Sequence, residues 1–276
     1  MIKFSKLQGA GNDFIIIEPK NKNINELSEI AKKMCDRHFG IGADGLMAVA
    51  STDKADIEMI YFNSDGSRGE MCGNGIRCFS LYAFQKGIVE VNTFTVNTLA
   101  GIKEVTVSTK NNMRNAVQVH MGTWSFDPKK IPVKTIRDTY LLEKITVGEE
   151  NFQISCVLMG VPHAVIFVDN IKEINIEKTG SFIENMELFP NKINVNFCDI
   201  INRSTMFVDT WERGAGKTLA CGTGACAAVV VAHTLGLVDQ SVKVSVLGGD
   251  LHIRLLEQNV FMEGEAEMIC DGEFYD

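Results

Sequence analysis

The chain has 276 residues, 45% of them hydrophobic and 22% charged, enough for two domains of ordinary size, each with its own core. Its formal net charge is −8, and no basic block is present to meet phosphates, which argues against nucleic acid or an anionic membrane as partner. No run of about 18 apolar residues exists to span a bilayer, and the start, Met1 to Gln8, lacks an apolar signal core, so the cytoplasm is the expected compartment. In that reducing setting the eight cysteines are expected to be thiols.

In chain order, Gly9-Ala10-Gly11 is a small-residue turn feeding the apolar run Phe14 to Ile17. Asn25 to Arg37 has the period of a helix, with Asn25 as N-cap and Leu27, Ile30, Ala31 and Met34 on one face. Ile57 to Phe62 reads as a strand, and Cys72-Gly73-Asn74-Gly75 as a glycine-rich turn opening an apolar helix over Phe79 to Gln85. Gly87-Ile88-Val89 follows, then the alternating stretches Lys103 to Thr109 and Val117 to Met121. The loop Thr123 to Asp138 carries Pro128 and Pro132 and suits a join between domains.

Half a chain later the same order returns. Gly160-Val161-Pro162-His163 feeds an apolar run ending at Val168, and Met206 to Trp211 reads as a strand. Cys221-Gly222-Thr223-Gly224 opens an apolar helix over Ala225 to Leu235, followed by Gly236-Leu237-Val238 and the alternating stretch Leu251 to Leu256. A repeat of half the chain length marks a duplicated domain. Each half offers one thiol at the start of a helix. An acid and a base on opposite faces of one carbon is what inversion of a stereocentre needs.

The glycines beside Cys72 and Cys221 let the backbone curl and turn amide N–H groups toward one point, where the helix N-terminus favours an anion and lowers a thiol's pKa. Arg213, in Glu212-Arg213-Gly214, has the chemistry to clamp a substrate carboxylate from a buried position. Asn12, Asn63 and Asn194 lie beside apolar strands and can both donate to and accept from a zwitterion. His163 either tunes a thiolate or is a satisfied core histidine. Cys78 and Cys226 read as core, and Cys35, Cys156, Cys198 and Cys270 as structural. Cys-x5-Cys and Cys-x4-Cys are not zinc spacings, so no metal is expected. Gly9-Ala10-Gly11 and Gly40-Ile41-Gly42 complete no dinucleotide fingerprint.

Together, Lys6 to Phe14, Phe62 to Ser67, Cys72 to Cys78, Trp211 to Gly216, Ala220 to Ala227 and the closing Met262 to Ala266 resemble the diaminopimelate epimerase family over the whole length. The resemblance implies an α+β fold of two similar domains, each a mostly antiparallel sheet around a central helix, with the active site in the cleft between them. It implies domains over 1–120, with 266–276 returning to it, and 121–265. It implies cofactor-independent epimerisation of LL- to meso-diaminopimelate, without pyridoxal or metal, for lysine and peptidoglycan synthesis.

Carried onto these residues, Cys72 and Cys221 are the catalytic acid and base, exchanging roles with direction. The amides of Gly73, Asn74, Gly222 and Thr223 hold the reacting carboxylate. Asn12, Asn63, Asn194, Glu212 and Arg213 read the distal centre, and His163 and Glu212 help move protons. The implied partner is a small amino acid. A homodimer is compatible with the sequence, which does not fix oligomeric state. Two positions depart from the family: Val161 stands where Asn is usual, and Gly45 follows Asp44 where Gln is frequent. The alternatives are a racemase of histidine or 4-hydroxyproline, an isomerase without the thiol pair of the phenazine-biosynthesis kind, and a non-catalytic binding protein. Arg213 and Asn194 speak against the first, and both thiols against the other two.

Overall fold

The computed structural model describes residues 1–19, 23–110 and 114–275; Asp276, in the returning segment expected above, lies outside them. The chain divides into two compact units, Met1–His120 with Glu263–Asp276, and Met121–Met262.

The first unit contains β1 (Ile2–Gly9), β2 (Asn12–Ile17), α1 (Ile24–Cys35), β3 (Gly45–Ala50), β4 (Ile57–Asn63), α2 (Gly73–Gln85), β5 (Thr93–Thr98), β6 (Gly101–Lys110) and most of β7 (Arg114–Thr123). The second contains β8 (Glu143–Val147), β9 (Glu150–Met159), β10 (Val161–Phe167), α3 (Ile176–Glu184), β11 (Asn194–Asn202), β12 (Thr205–Glu212), β13 (Gly216–Lys217), α4 (Gly222–Thr234), β14 (Ser241–Val246) and β15 (Gly249–Leu256). β16 (Asn259–Phe274) starts in the second unit and ends in the first, where it pairs with β1.

The duplication is written in the pairing order. In unit 1, β1 and β2 are antiparallel, β2 and β3 parallel, β3 and β4 antiparallel, β4 and β5 parallel, and β5 and β6 antiparallel. Unit 2 repeats this sequence through β9, β10, β11, β12, β14 and β15. Each parallel pairing needs a crossover, and each crossover carries a helix: α1 and α2 in unit 1, α3 and α4 in unit 2. The expected two similar α+β domains are therefore present, with the parallel pairs set into a mostly antiparallel sheet.

α2 and α4 are the buried helices. Gly73 through Ala83 are all buried, with Asn74, Arg77 and Ser80 among them, as are Ala225 through Ala232, where a helix apolar on every side must be enclosed. α2 packs on β1, β2 and β6, and α4 on β9, β10, β11 and β15. α1 covers the other face of its sheet, so β2 is buried on both sides; Ile15 and Ile17 pack with Leu27, Ile30, Ala31 and Met34. α3 does the same in unit 2, where Ile183 packs with Ile154, Val195 and Phe197.

Three sequence expectations are corrected. α1 is capped by Asn23, not Asn25, through a capping box with Glu26, and it ends at Cys35. The glycine-rich segments are not turns ahead of the helices; they are the first helical turn, with Cys72 and Cys221 at the N-caps. The Thr123 to Asp138 loop is no linker, since it carries Ile131 and Val133 into the unit 2 core. Both buried helices end alike. Gly87 (φ 69°) donates to the carbonyl of Phe84 and Ile88 to that of Ala83; Gly236 (φ 74°) donates to His233 and Leu237 to Ala232. These are paired Schellman closures, the reason for the repeated Gly-apolar-Val. Among the described residues no helix is long and apolar enough to cross a membrane.

Candidate functional site

In each unit the central helix begins at the same end of the sheet as the residues singled out by sequence. In unit 1, β2 starts at Asn12, β3 starts at Gly45, and β4 ends at Asn63, which lies in register with Gly45. Cys72, half-buried and extended (φ −123°, ψ 125°), caps α2 and hands the first helical bond to Ile76. The opening amides of an α-helix have no partner within it, so a helix N-terminus presents N–H donors and positive potential. Asn74 is held by Asn12, whose Oδ1 accepts from Asn74 Nδ2 at 2.5 Å, while Asn12 Nδ2 donates to Asp44 at 3.0 Å. Asp44 and Asp13 are clamped by Arg37, and Asp13 also by Lys6 at 2.9 Å. Burial pushes the Asp13 carboxyl up, but hydrogen bonds from Arg37 and Lys6 outweigh it and hold it below its usual range.

Asn63 is oriented by Tyr61, whose hydroxyl donates to Oδ1 at 2.9 Å, and by Ser67, which accepts from Nδ2. Tyr61 also explains Gly45. A Cβ there would come within 2.6 Å of the Tyr61 ring and of the Phe62 carbonyl. A longer side chain at this position has no room, and the tyrosine fills that place.

Unit 2 repeats the plan with different groups. β10 starts at Val161, β11 at Asn194 in register with His163, and β12 ends at Glu212. Cys221 caps α4 and is 6% exposed. Its thiol lies 3.5 Å from Thr223 Oγ1 and close enough to Glu212 for the two to shift each other's proton affinity. The expectation of an acidified thiol fails here. Burial pushes the Cys221 thiol well up, and the Glu212 negative charge adds to it. Burial also raises the Glu212 carboxyl, against hydrogen bonds from Thr218 (2.6 Å) and Cys221. Cys221 therefore rests as the thiol, with Glu212 beside it as a carboxyl whose affinity for a proton burial has raised.

Arg213 is exposed rather than buried. Its backbone N–H donates to Asn194 Oδ1 at 2.9 Å and its guanidinium to the Asn191 carbonyl at 3.1 Å. Asn194 Nδ2 donates in turn to the Pro162 carbonyl. His163 is wholly buried; burial first, and Arg213 second, push it down to about 3, so it is neutral.

Four residues near these sites carry no sequence signal of their own. Tyr61 is one. Glu184, 4% exposed on α3, accepts from Trp211 Nε1 at 2.7 Å and from the Gly214 amide at 3.3 Å, fixing the segment that bears Glu212 and Arg213. Asn196 and Thr210, both buried, bond each other at 3.0 Å beneath α4. The usable hint was Asn194-Val195-Asn196: two amides one strand-repeat apart in an apolar strand.

The other cysteines divide as expected, with one exception. Cys78, Cys226, Cys35, Cys156 and Cys198 are buried, but Cys270 is exposed. Among the described residues no cluster of three or more His, Cys, Asp or Glu could hold a metal. A cavity of about 810 Å³ in unit 1 lies by Tyr82 and Lys86, at the far end of α2 from Cys72. There Lys86 pairs with Asp271, and the Tyr82 hydroxyl donates to Glu18.

The two-unit α+β fold, with its repeated pairing order and a central helix in each unit, is shared by solved structures. A hydroxyproline epimerase from Agrobacterium vitis, with bound trans-4-hydroxy-L-proline, superposes with TM-score 0.73 at 14% identity, covering 98% of this chain and 90% of that one. A phenazine biosynthesis protein of the PhzF family from Bacillus anthracis gives TM-score 0.71 at 17% identity over 100% and 99%. At such identities the likeness is one of fold. Sequence is more specific. The diaminopimelate epimerase family model matches residues 4–126 and 155–269, and the diaminopimelate epimerase of Clostridium perfringens strain 13 is 50% identical over 275 residues, 99% of each chain. The chain belongs to the diaminopimelate epimerase family.

Proposed function

We propose that this protein interconverts LL- and meso-diaminopimelate by a cofactor-independent, two-thiol mechanism serving lysine and peptidoglycan synthesis. The observation that carries it is the placement of Cys72 and Cys221 as N-caps of equivalent buried helices, within a family match to both halves. The α-proton of an amino acid is a very weak acid and a thiolate a modest base. The site must therefore stabilise the developing charge, and the first-turn amides of Gly73, Asn74, Gly222 and Thr223 are suited to the reacting carboxylate.

One thiolate removes the α-proton from one face while the opposite thiol delivers a proton to the other. The mechanism requires that both sulfurs reach the same carbon. Glu212 gives Cys221 a proton partner: when Cys221 acts as base, its proton passes to the raised Glu212 carboxylate, and it returns when Cys221 acts as acid. Cys72 takes the complementary role in each direction. Asn12, Asn63, Asn194 and Arg213 are assigned to the distal amino-acid centre; Arg213 provides the charge-assisted contact. We place the enzyme in the reducing cytoplasm, acting on a small amino acid and not on nucleic acid, with homodimerisation to be tested by light scattering.

The test is incubation of reduced enzyme with LL-diaminopimelate, histidine and 4-hydroxyproline in separate reactions, followed by chiral chromatography. Conversion of LL- to meso-diaminopimelate alone is expected. Racemisation of histidine or hydroxyproline without diaminopimelate turnover would overturn the assignment.

A further inference from the structure

Asn196 sits wholly buried on β11, between His163 on β10 and Thr210 on β12. Its side-chain orientation is fixed by chemistry. Nδ2 lies 2.9 Å from the Ala164 carbonyl, a group that can only accept, so the NH2 end must face it. Oδ1 then accepts from the Thr210 hydroxyl at 3.0 Å. The same Nδ2 lies 3.1 Å from His163 Nδ1. One Nδ2 hydrogen goes to Ala164 and the other points at Nδ1, which must be bare to accept it. A neutral imidazole with bare Nδ1 carries its hydrogen on Nε2.

We propose that Asn196 is a positioning residue that locks His163 as a neutral Nε2–H tautomer, making His163 a fixed hydrogen-bond donor to the bound substrate or its developing anion, not a proton carrier. Two further observations support this. His163 Nε2 is buried and has no hydrogen-bond partner among the described residues, so a donor stands ready for a group that comes with the ligand. Gly224, in the first turn of α4 after Cys221, has its Cβ position occupied by Asn196 Oδ1; a methyl there would overlap it. The glycine of the thiol motif is therefore what admits Asn196 against the head of the helix. Protonation of His163 would set an Nδ1–H against the Asn196 N–H, and the Arg213 charge opposes it too. The strand neighbours of His163 in register, Val157 and Asn194, carry no charge to offset that. Among the titratable groups of this unit, Glu212 is then left to handle the proton of Cys221.

The role in catalysis rests on the epimerase reading, but the tautomer does not, and it is read without substrate. The experiment is long-range proton–nitrogen correlation on enzyme labelled with ring-15N histidine, over about pH 5 to 9. His163 is assigned among the five histidines by the signal lost in His163→Gln. The expected result is a protonated Nε2 and a bare Nδ1, unchanged across the range. Asn196→Asp puts an acceptor at Nδ1 and should switch the proton to that nitrogen or bring an imidazolium titration into the range, with kcat falling at least tenfold and the melting profile still cooperative. Wild-type His163 protonated at Nδ1, or titrating near its ordinary value, would overturn the proposal. So would Asn196→Asp with unaltered ring signals. Unaltered kcat beside a switched tautomer would overturn the donor role while leaving the epimerase assignment intact.

Discussion

Adding one methyl group to each of the paired helix-opening glycines should have unequal consequences. In Gly75→Ala the new Cβ overlaps the terminal methyl of Met47, with Cys72 Cβ at 3.3 Å and Phe14 at 3.4 Å. Methionine is unbranched and its end can swing away. The repacking cost of about 1 kcal/mol is offset by the 0.5–1 kcal/mol that alanine gains over glycine in a helix, roughly a neutral change. In Gly224→Ala the overlap is with Asn196 Oδ1, and Cys221 Cβ and Sγ are each at 3.2 Å. Asn196 cannot swing, because His163, Ala164 and Thr210 hold it. Displacing Oδ1 strips a buried hydrogen bond from Thr210, at about 1–3 kcal/mol, and strains the other two. After the helix gain, a net loss of about 2 kcal/mol is expected. Urea melts measure this directly. The Gly224→Ala midpoint should fall clearly below wild type, and its kcat should fall with it, while Gly75→Ala should melt near wild type. Equal destabilisation of the two, or a larger loss in Gly75→Ala, would refute the reasoning.

Glu184→Ala should cost about 2–4 kcal/mol, because the Trp211 indole N–H and Gly214 amide lose their buried acceptor; it should also raise KM, by loosening the segment that bears Arg213, in steady-state assays. The Asp13 carboxyl has a lower pKa in the folded protein than its ordinary 3.8. Its stabilisation is thus full above that ordinary value and lost as pH falls through the folded one. Asp13→Asn should therefore destabilise by about 1 kcal/mol at neutral pH, and the gap from wild type should narrow in melts as pH falls below the ordinary 3.8. Arg213→Ala should raise KM for diaminopimelate far more than Val161→Asn lowers it, since Arg213 offers a charge-assisted bond and Val161 lacks one neutral bond of about 0.5–1.5 kcal/mol. The opposite ranking in kinetics would show the distal assignments to be wrong.

Sequence made the duplication legible because both thiol motifs, both apolar helices and both Gly-apolar-Val closures recur together. The buried face of α1 was equally plain from Leu27, Ile30, Ala31 and Met34, all of which pack in the core. What sequence could not tell was which job each glycine does. Gly75 and Gly224 look like turn residues; structurally they are helical, and they are small because Met47 and Asn196 come against them. The thiol's protonation was misread for a related reason. A helix N-terminus suggests an acidified cysteine, but burial of Cys221 beside Glu212 is a tertiary fact and it dominates. Arg213 has the chemistry of a clamp without the burial assigned to it. Asn196 and Glu184 matter through partners 14 to 33 residues away, which no local pattern records.

The central claim is that two separate thiols handle the proton on opposite faces of one carbon. The most direct measurement is the deuterium content of meso-diaminopimelate formed from unlabelled LL substrate in heavy water during the first turnover, under reducing conditions. The expected product carries solvent deuterium at the inverted centre in essentially every molecule, while LL substrate recovered at the same instant remains unlabelled, and neither Cys72→Ala nor Cys221→Ala forms product. Product that retains the substrate's own α-hydrogen, or a Cys221→Ala enzyme that inverts the centre near the wild-type rate, would contradict it.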